Sequence, residues 1–262
     1  MYIYIYFKID YFFKRNKKLM EFNLLDSSLF ISIFDNIKAY SDNITMKLEK
    51  NNMHIQSIDD ANISILDIKI NKSYFHSYNI YKEIALNFTV SDICKILKIC
   101  SKSRFMNFKI KDNIIIITSV SPDNINKQFE INSNVVKNNI IDIENIQNIS
   151  FESINLNSRT LYSIFNELNT FTEDILLKLT KESIYFYGNN DAIDMKYNIE
   201  LKTELENNII SKYSLNYLAK YKLLNAFDNS ILKLSSNNPI IILNENENVK
   251  IHFVLSPKII DD

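Results

Sequence analysis

The sequence predicts an α+β fold of two similar domains in tandem, each with two helices packed on antiparallel sheets. Three observations carry this reading. The chain repeats itself at an offset of 131 positions. Each half shows the same succession of helix-period and strand-period segments. Apolar residues make up 46% of the 262, enough to bury a core in both halves.

The repeat sets Ser32–Ile65 on Ser163–Lys196. Nine of the 34 positions are identical: Ser32/Ser163, Ile33/Ile164, Phe34/Phe165, Ile44/Ile175, Lys47/Lys178, Leu48/Leu179, Lys50/Lys181, Asp60/Asp191 and Ala61/Ala192. Such a period is too long for solenoid units of about 20–50 residues and suits duplicated domains.

The elements follow in order. Residues 1–19 have a short apolar start, Tyr2–Phe7, with the basic cluster Lys14, Arg15, Lys17 and Lys18 after it. That is the reverse of a secretory signal. They read as an extension, poorly ordered or begun upstream of the natural start. The first domain is assigned to 20–134. Leu29, Phe30, Ile33, Phe34 and Ile37 give a helix over Leu29–Tyr40. Alternation at Ile44, Met46 and Leu48, at Met53 and Ile55, and at Ile63 and Ile65 gives strands. Val90, Ile93, Ile96, Leu97 and Cys100 give a second helix over Thr89–Lys102. Strands are predicted at Phe105–Ile110, Ile114–Ser119 and Gln128–Asn132. Residues 135–148 show neither period and form a connector. The second domain, 149–262, repeats the pattern with helices at Leu161–Leu168 and Tyr213–Ala226. Its later strands are Ser230–Leu234, Ile240–Leu243 and Val249–Leu255.

Composition narrows the function. No apolar run reaches 18 residues, so no helix is predicted to cross a membrane. The single glycine, Gly188, excludes a glycine-rich phosphate loop. Cys94 and Cys100 are too few for a disulfide framework or a thiolate zinc site, and suit a reducing, intracellular setting. His54 stands in a strand without a second ligand nearby. Asp59 and Asp60 are adjacent, so their side chains diverge, and they read as a turn. No catalytic residue, metal site or cofactor is assigned.

Charge is divided by element. The four helical windows (28–40, 90–102, 157–169 and 214–226) hold seven basic residues, Lys38, Lys95, Lys98, Lys102, Arg159, Lys220 and Lys222, against Asp35, Asp92 and Glu167. Their net charge is +4. With −1 for the whole chain, the remainder carries −5. Lys95, Lys98 and Lys102 share one helix face. A cationic helix face on an acidic chain is what binding to a phosphate backbone requires; an ordinary solvated face would look the same. Without an Arg-rich reading helix, recognition of base sequence is not expected.

Five segments stand out: MHIQSIDDANISILDIKI (Met53–Ile70), EIALNFTVSDICKILKIC (Glu83–Cys100), IDIENI (Ile141–Ile146), NNPIIIL around Pro239, and LSPKIIDD (Leu255–Asp262). Through them the sequence from Met20 to Asp262 resembles the eukaryotic and archaeal DNA sliding clamps, the proliferating cell nuclear antigen family. There are departures. Ser32 and Ile33 replace an early lysine pair, the glycine usual in the connector is missing near Gln147, and Arg159 stands alone where the family has a basic cluster.

The resemblance implies a non-catalytic ring of three identical subunits. It would surround duplex DNA, slide on it, and hold polymerase, clamp loader and other proteins through short peptides with aromatic anchors. It implies DNA-facing roles for Lys95 and Lys98, and with them for Lys38, Lys82, Lys102, Arg159, Lys220 and Lys222. It implies a peptide groove at Ile58, Asn62, Ile65, Ile143, Ile146, Pro239, Pro257, Lys258 and Ile259, and a subunit seam at Phe129, Ile131, Ile193 and Met195. It implies no membrane partner, and a nuclear location, or a viral replication compartment if the source is a virus. Two alternatives stay open: a clamp-like subunit of a checkpoint ring or viral transcription and replication factor, and an enzyme on an unrelated α+β fold.

Overall fold

The computed structural model describes residues 19–137, 140–143, 149–201 and 208–260. The first half runs β1 (Met20–Leu24), α1 (Ser28–Ile37), β2 (Asn43–Leu48), β3 (Asn52–Ile58), β4 (Ser64–Asn71), β5 (Ser77–Asn79), β6 (Ile84–Thr89), α2 (Val90–Cys100), β7 (Phe105–Lys111), β8 (Ile114–Val120), β9 (Asn126–Asn132) and β10 (Asn134–Val135). The second runs β11 (Glu152–Asn157), α3 (Ser158–Asn169), β12 (Asp174–Leu179), β13 (Ser183–Asn189), β14 (Asp194–Glu200), β15 (Ile209–Ser214), α4 (Leu215–Leu218), a 3-10 turn (Lys222–Ala226), β16 (Asn229–Leu234), β17 (Ile240–Glu245) and β18 (Val249–Leu255). The α+β duplication is therefore present, with β5 and β10 as additions to the first half.

Local chemistry sets the helices. Asp26 accepts from the backbone N–H and hydroxyl of Ser28 at 2.9 and 2.7 Å, satisfying a free donor at the start of α1. Those bonds hold its carboxyl below the usual range. Asn157 does the same for α3, accepting from Thr160 N–H at 3.0 Å. Asp92 in the first turn of α2 and Lys98 in its last complement the helix dipole. α1 stops at Ile37 and tightens into turns through Tyr40. The helix expected over Tyr213–Ala226 is instead the four-residue α4 and a separate 3-10 turn. Leu215 and Leu218 are the buried residues of α4, and Leu223 and Leu224 those of the 3-10 turn.

The strands form three antiparallel sheets, ordered β5-β1-β7-β8-β9, β10-β6-β2-β3-β4-β18-β17-β16-β11, and β14-β13-β12-β15. The nine-stranded sheet crosses from one half to the other where β4 pairs with β18, Ser64 opposite Leu255 through Ile70 opposite Val249. One buried cluster runs through both halves beneath the helices. Phe22 stacks on Phe108 at 4.6 Å, and Tyr221 on Phe253 at 4.7 Å. Each such buried side chain contributes roughly 1.5–3 kcal/mol of transfer free energy. The helices of the two halves are also bonded to each other: Asn36 Nδ2 donates to Lys220 O at 2.7 Å, and Tyr40 Oη to Tyr217 O at 2.8 Å.

Candidate nucleic-acid and partner interfaces

The helical segments form one layer over the sheets. Their apolar sides are buried and their cations point out. Lys38, Lys95, Lys98, Lys102, Arg159, Lys220 and Lys222 are all exposed on it. Lys98 Nζ reaches Asp35 Oδ1 on α1 at 3.1 Å, and Lys95 Nζ reaches Asp92 Oδ1 at 3.1 Å. These are solvent-facing pairs worth at most about 1 kcal/mol each, so a phosphate can compete for either lysine. Lys38, Lys102, Arg159 and Lys222 have no ion-pair partner among the described residues. Lys82 stands apart. It precedes β6, at the end of that strand remote from α2, in a cleft with Lys47, Glu83, Asp112 and Val135.

The opposite face of the nine-stranded sheet is organised in rows set by strand register. One row is Ile58, Ile65, Val254 and Ile241, on β3, β4, β18 and β17. Ile143, 5% exposed, is seated on Ile241 and Val254, with Ile65 and Phe151 alongside. The next row is Gln56, Asp67, His252 and Leu243, and the one beyond it His54, Lys69, Lys250 and Glu245. On the other side of the apolar row, Ser256 donates its backbone N–H to Ile63 O at 2.8 Å, and half-buried Pro239 leads into β17. Pro257, Lys258 and Ile259 line an adjoining cleft with Ile210, Asn237 and Ile260. Ile259 is 85% exposed there and Ile210 44%.

Of the residues assigned to the groove, Ile58, Ile65 and Ile143 thus lie together. Pro257, Lys258 and Ile259 form a second group. Asn62 sits in the β3–β4 turn with φ 57°, a left-handed conformation that asparagine tolerates. Ile146 lies outside the described residues. Lys258 is also bound locally: its backbone N–H donates to Lys212 O at 2.7 Å, and its ammonium pairs with Asp174. Sequence reasoning missed Val254 and Ile241. Their signal was present, since Ile240–Leu243 and Phe253–Leu255 are continuous apolar runs, as expected of strands covered on both faces.

The acid pair resolves into a turn. Asp59 is buried and accepts from the N–H groups of Ala61, Ile63 and Ser64 at 3.0, 2.9 and 2.5 Å, and from Tyr217 Oη at 3.1 Å. Burial opposes its charge, but these donors outweigh it and keep its carboxyl below the ordinary value. Cys94 is buried and bonded to Phe34 O at 3.3 Å; burial pushes its thiol up to about 11, outside the range of a reactive cysteine. Among the described residues no helix is long and apolar enough to cross a membrane.

The longest open edges are β9 and β14, seven residues each, and both end their sheets. On β9, Phe129 and Ile131 turn toward the core, and on β14 Met195 does so with Tyr197 and Ile199. Ile193, 41% exposed, lies just before β14. In the duplication β9 corresponds to β18 and β14 to β4, the two strands that are already paired within the chain.

Comparison with known proteins agrees with this geometry. The family model described as "Proliferating cell nuclear antigen, N-terminal domain" matches residues 19–150. "Proliferating cell nuclear antigen 1" of Plasmodium falciparum is 23% identical over 282 residues, covering 93% of this chain and 98% of that protein. The "Proliferating cell nuclear antigen" of Saccharomyces cerevisiae is 22% identical, with 93% and 100% covered. Among solved structures, the antigen from Entamoeba histolytica superposes with a TM-score of 0.81 at 18% identity, covering 92% of this chain and 99% of that one. A chain of the "PCNA2-PCNA3 complex" from Sulfolobus tokodaii superposes at 0.80 with 20% identity, 91% and 99% covered. A family model spanning half of the residues, on a fold shared over 92% of the chain, means that the chain belongs to the proliferating cell nuclear antigen family.

Proposed function

We propose that the protein is a DNA sliding clamp: a closed ring of three identical copies that surrounds duplex DNA and tethers a polymerase and its accessory proteins. The observation that carries the reading is the joint between β4 and β18. It unites, inside one chain, the counterparts of the two edges left open, β14 and β9. Joining β9 of one copy to β14 of the next repeats that joint, continues the sheets outside, and covers the two longest of the described edges. A head-to-tail contact of this kind generates a ring when its rotation closes. Two domains per chain, 20–134 and 149–262 with the connector 135–148 between them, would then recur around the ring. The seam falls on Phe129, Ile131, Ile193 and Met195.

The helix layer lines the hole in this arrangement. Its net charge of +4 per chain faces phosphate, with Lys38, Lys95, Lys98, Lys102, Arg159, Lys220 and Lys222 as contacts. Exposed lysines on weak surface pairs exchange between phosphates without reading bases, so the ring holds the duplex yet slides. Lys82, away from the helix layer, has no part in that contact. The clamp makes and breaks no covalent bond; its effect is topological. The sheet face beneath the connector, with Ile58, Ile65, Ile143, Pro239, Pro257 and Ile259, takes a partner peptide through an aromatic anchor. The site of action is the nuclear replication machinery, or a viral replication compartment.

The test is the mass of the native assembly by light scattering. The expected value is three times the 30.8 kDa chain. Phe129→Ala combined with Met195→Ala should give monomers with unchanged circular dichroism. A stable monomer in the unsubstituted protein would overturn the ring.

A further inference from the structure

The connector is held to the sheet by one side chain in particular. Gln56 on β3 donates through Nε2 to Ile141 O at 2.8 Å, and its Oε1 accepts from Ile141 N–H at 2.8 Å. Both backbone groups of Ile141 are thereby satisfied by a single amide. The amide cannot turn over freely, because Nε2 also donates to Asp67 Oδ1 at 2.7 Å. Asp67 is itself fixed. His54 Nε2 is 2.6 Å from Oδ1, and His252 Nδ1 is 3.8 Å from Oδ2. Gln56, Asp67 and His252 are all buried, at 6%, 1% and 4% exposure.

The spacing gives this brace a consequence. Ile141 lies on the Gln56 row and Ile143 on the neighbouring apolar row. Rows on one sheet face are two residues apart, about 7 Å, the length that two residues of extended connector cover. Pinning Ile141 therefore delivers Ile143 onto Val254 and Ile241. A slip of one residue would turn Ile143 away from the sheet, as a register slip does in a strand.

We infer that Gln56, oriented by Asp67, is a positioning residue that sets the register of the connector and through it the affinity of the groove for a partner peptide. The inference rests on the docking role proposed above for that groove. It is tested on the assembled protein with Gln56→Met, which keeps the volume and removes both polar partners, and with Asp67→Asn. Residue-resolved amide exchange of Ile141 is measured first. Binding of a short synthetic peptide with aromatic anchors is measured beside it.

Loss of two part-buried hydrogen bonds should speed exchange at Ile141 about tenfold in Gln56→Met and weaken the peptide several-fold, with the native mass unchanged. Asp67→Asn should give a smaller effect that does not add to that of Gln56→Met. Unchanged exchange at Ile141 would overturn the brace, whatever the peptide does. Faster exchange with unaltered peptide affinity would overturn its link to the groove. A peptide that fails to bind the unsubstituted protein would instead sink the docking role, and the exchange result would still decide the brace.

Discussion

Asp67 is almost wholly buried and still charged. Burial alone would push its carboxyl up; the hydrogen bonds from His54 and Gln56 outweigh that and hold it far below the ordinary value of 3.8. A depressed folded value stabilises the fold above the unfolded value, and that contribution is lost as pH falls through the folded one. Asp67→Asn should therefore cost stability in full from neutral pH to about 5, with the deficit shrinking below about pH 4. Urea melts of both proteins across that range check it; a deficit that stays constant down to about pH 2 would contradict it. This network was poorly legible in the sequence. His54 reads only as a strand residue without a second ligand nearby, and Gln56 and Asp67 draw no reading of their own. Only the connector, which has no secondary-structure period, makes their face of the sheet an interior. Turn chemistry is easier to read: in a chain with one glycine, Asn62, Asp112, Asn124 and Asn237 take the left-handed positions.

At the scale of elements, α3 meets the sheet through Gly188. A Cβ there would lie 2.7 Å from Thr172 Cγ2 and 3.0 Å from Leu168 Cδ2, just beyond and within the last turn of that helix. Its backbone is ordinary, so the need for glycine is steric. Gly188→Ala should cost about 1–3 kcal/mol, as overpacking does, and thermal unfolding would register it; an unchanged midpoint would show that the helix end yields freely. The helices α1, α2 and α3 were legible because their apolar stripes keep a 3.6-residue period. α4 and the 3-10 turn were not, because the surroundings of Tyr221, packed on Phe253 and donating to Asn244 Oδ1 at 2.8 Å, impose a tighter winding that the local sequence only hints at. The two-residue β10 and three-residue β5 exist through their pairing with β6 and β1 and carry no periodic signal of their own.

For the whole molecule, the duplication was visible as the repeat of Ser32–Ile65 at Ser163–Lys196. What the repeat could not show is which strands join the halves. That depends on contacts between residues nearly two hundred positions apart, such as Ser64 and Leu255. The joint matters most to function, because it displays once, within the chain, the contact that the open edges β9 and β14 would make between chains. The charge division concerns net charge: the helical windows carry +4 and the remainder of the chain −5.

The claim underneath all of this is topological: DNA is held because it is enclosed. The direct measurement is retention on circular duplex DNA, after loading by a clamp loader, in salt high enough to screen lysine–phosphate contacts. The account predicts that the protein stays on the closed circle through the wash and leaves when a single cut linearises it. Loss from the intact circle in salt, or persistence on the linear product with free ends, would contradict it.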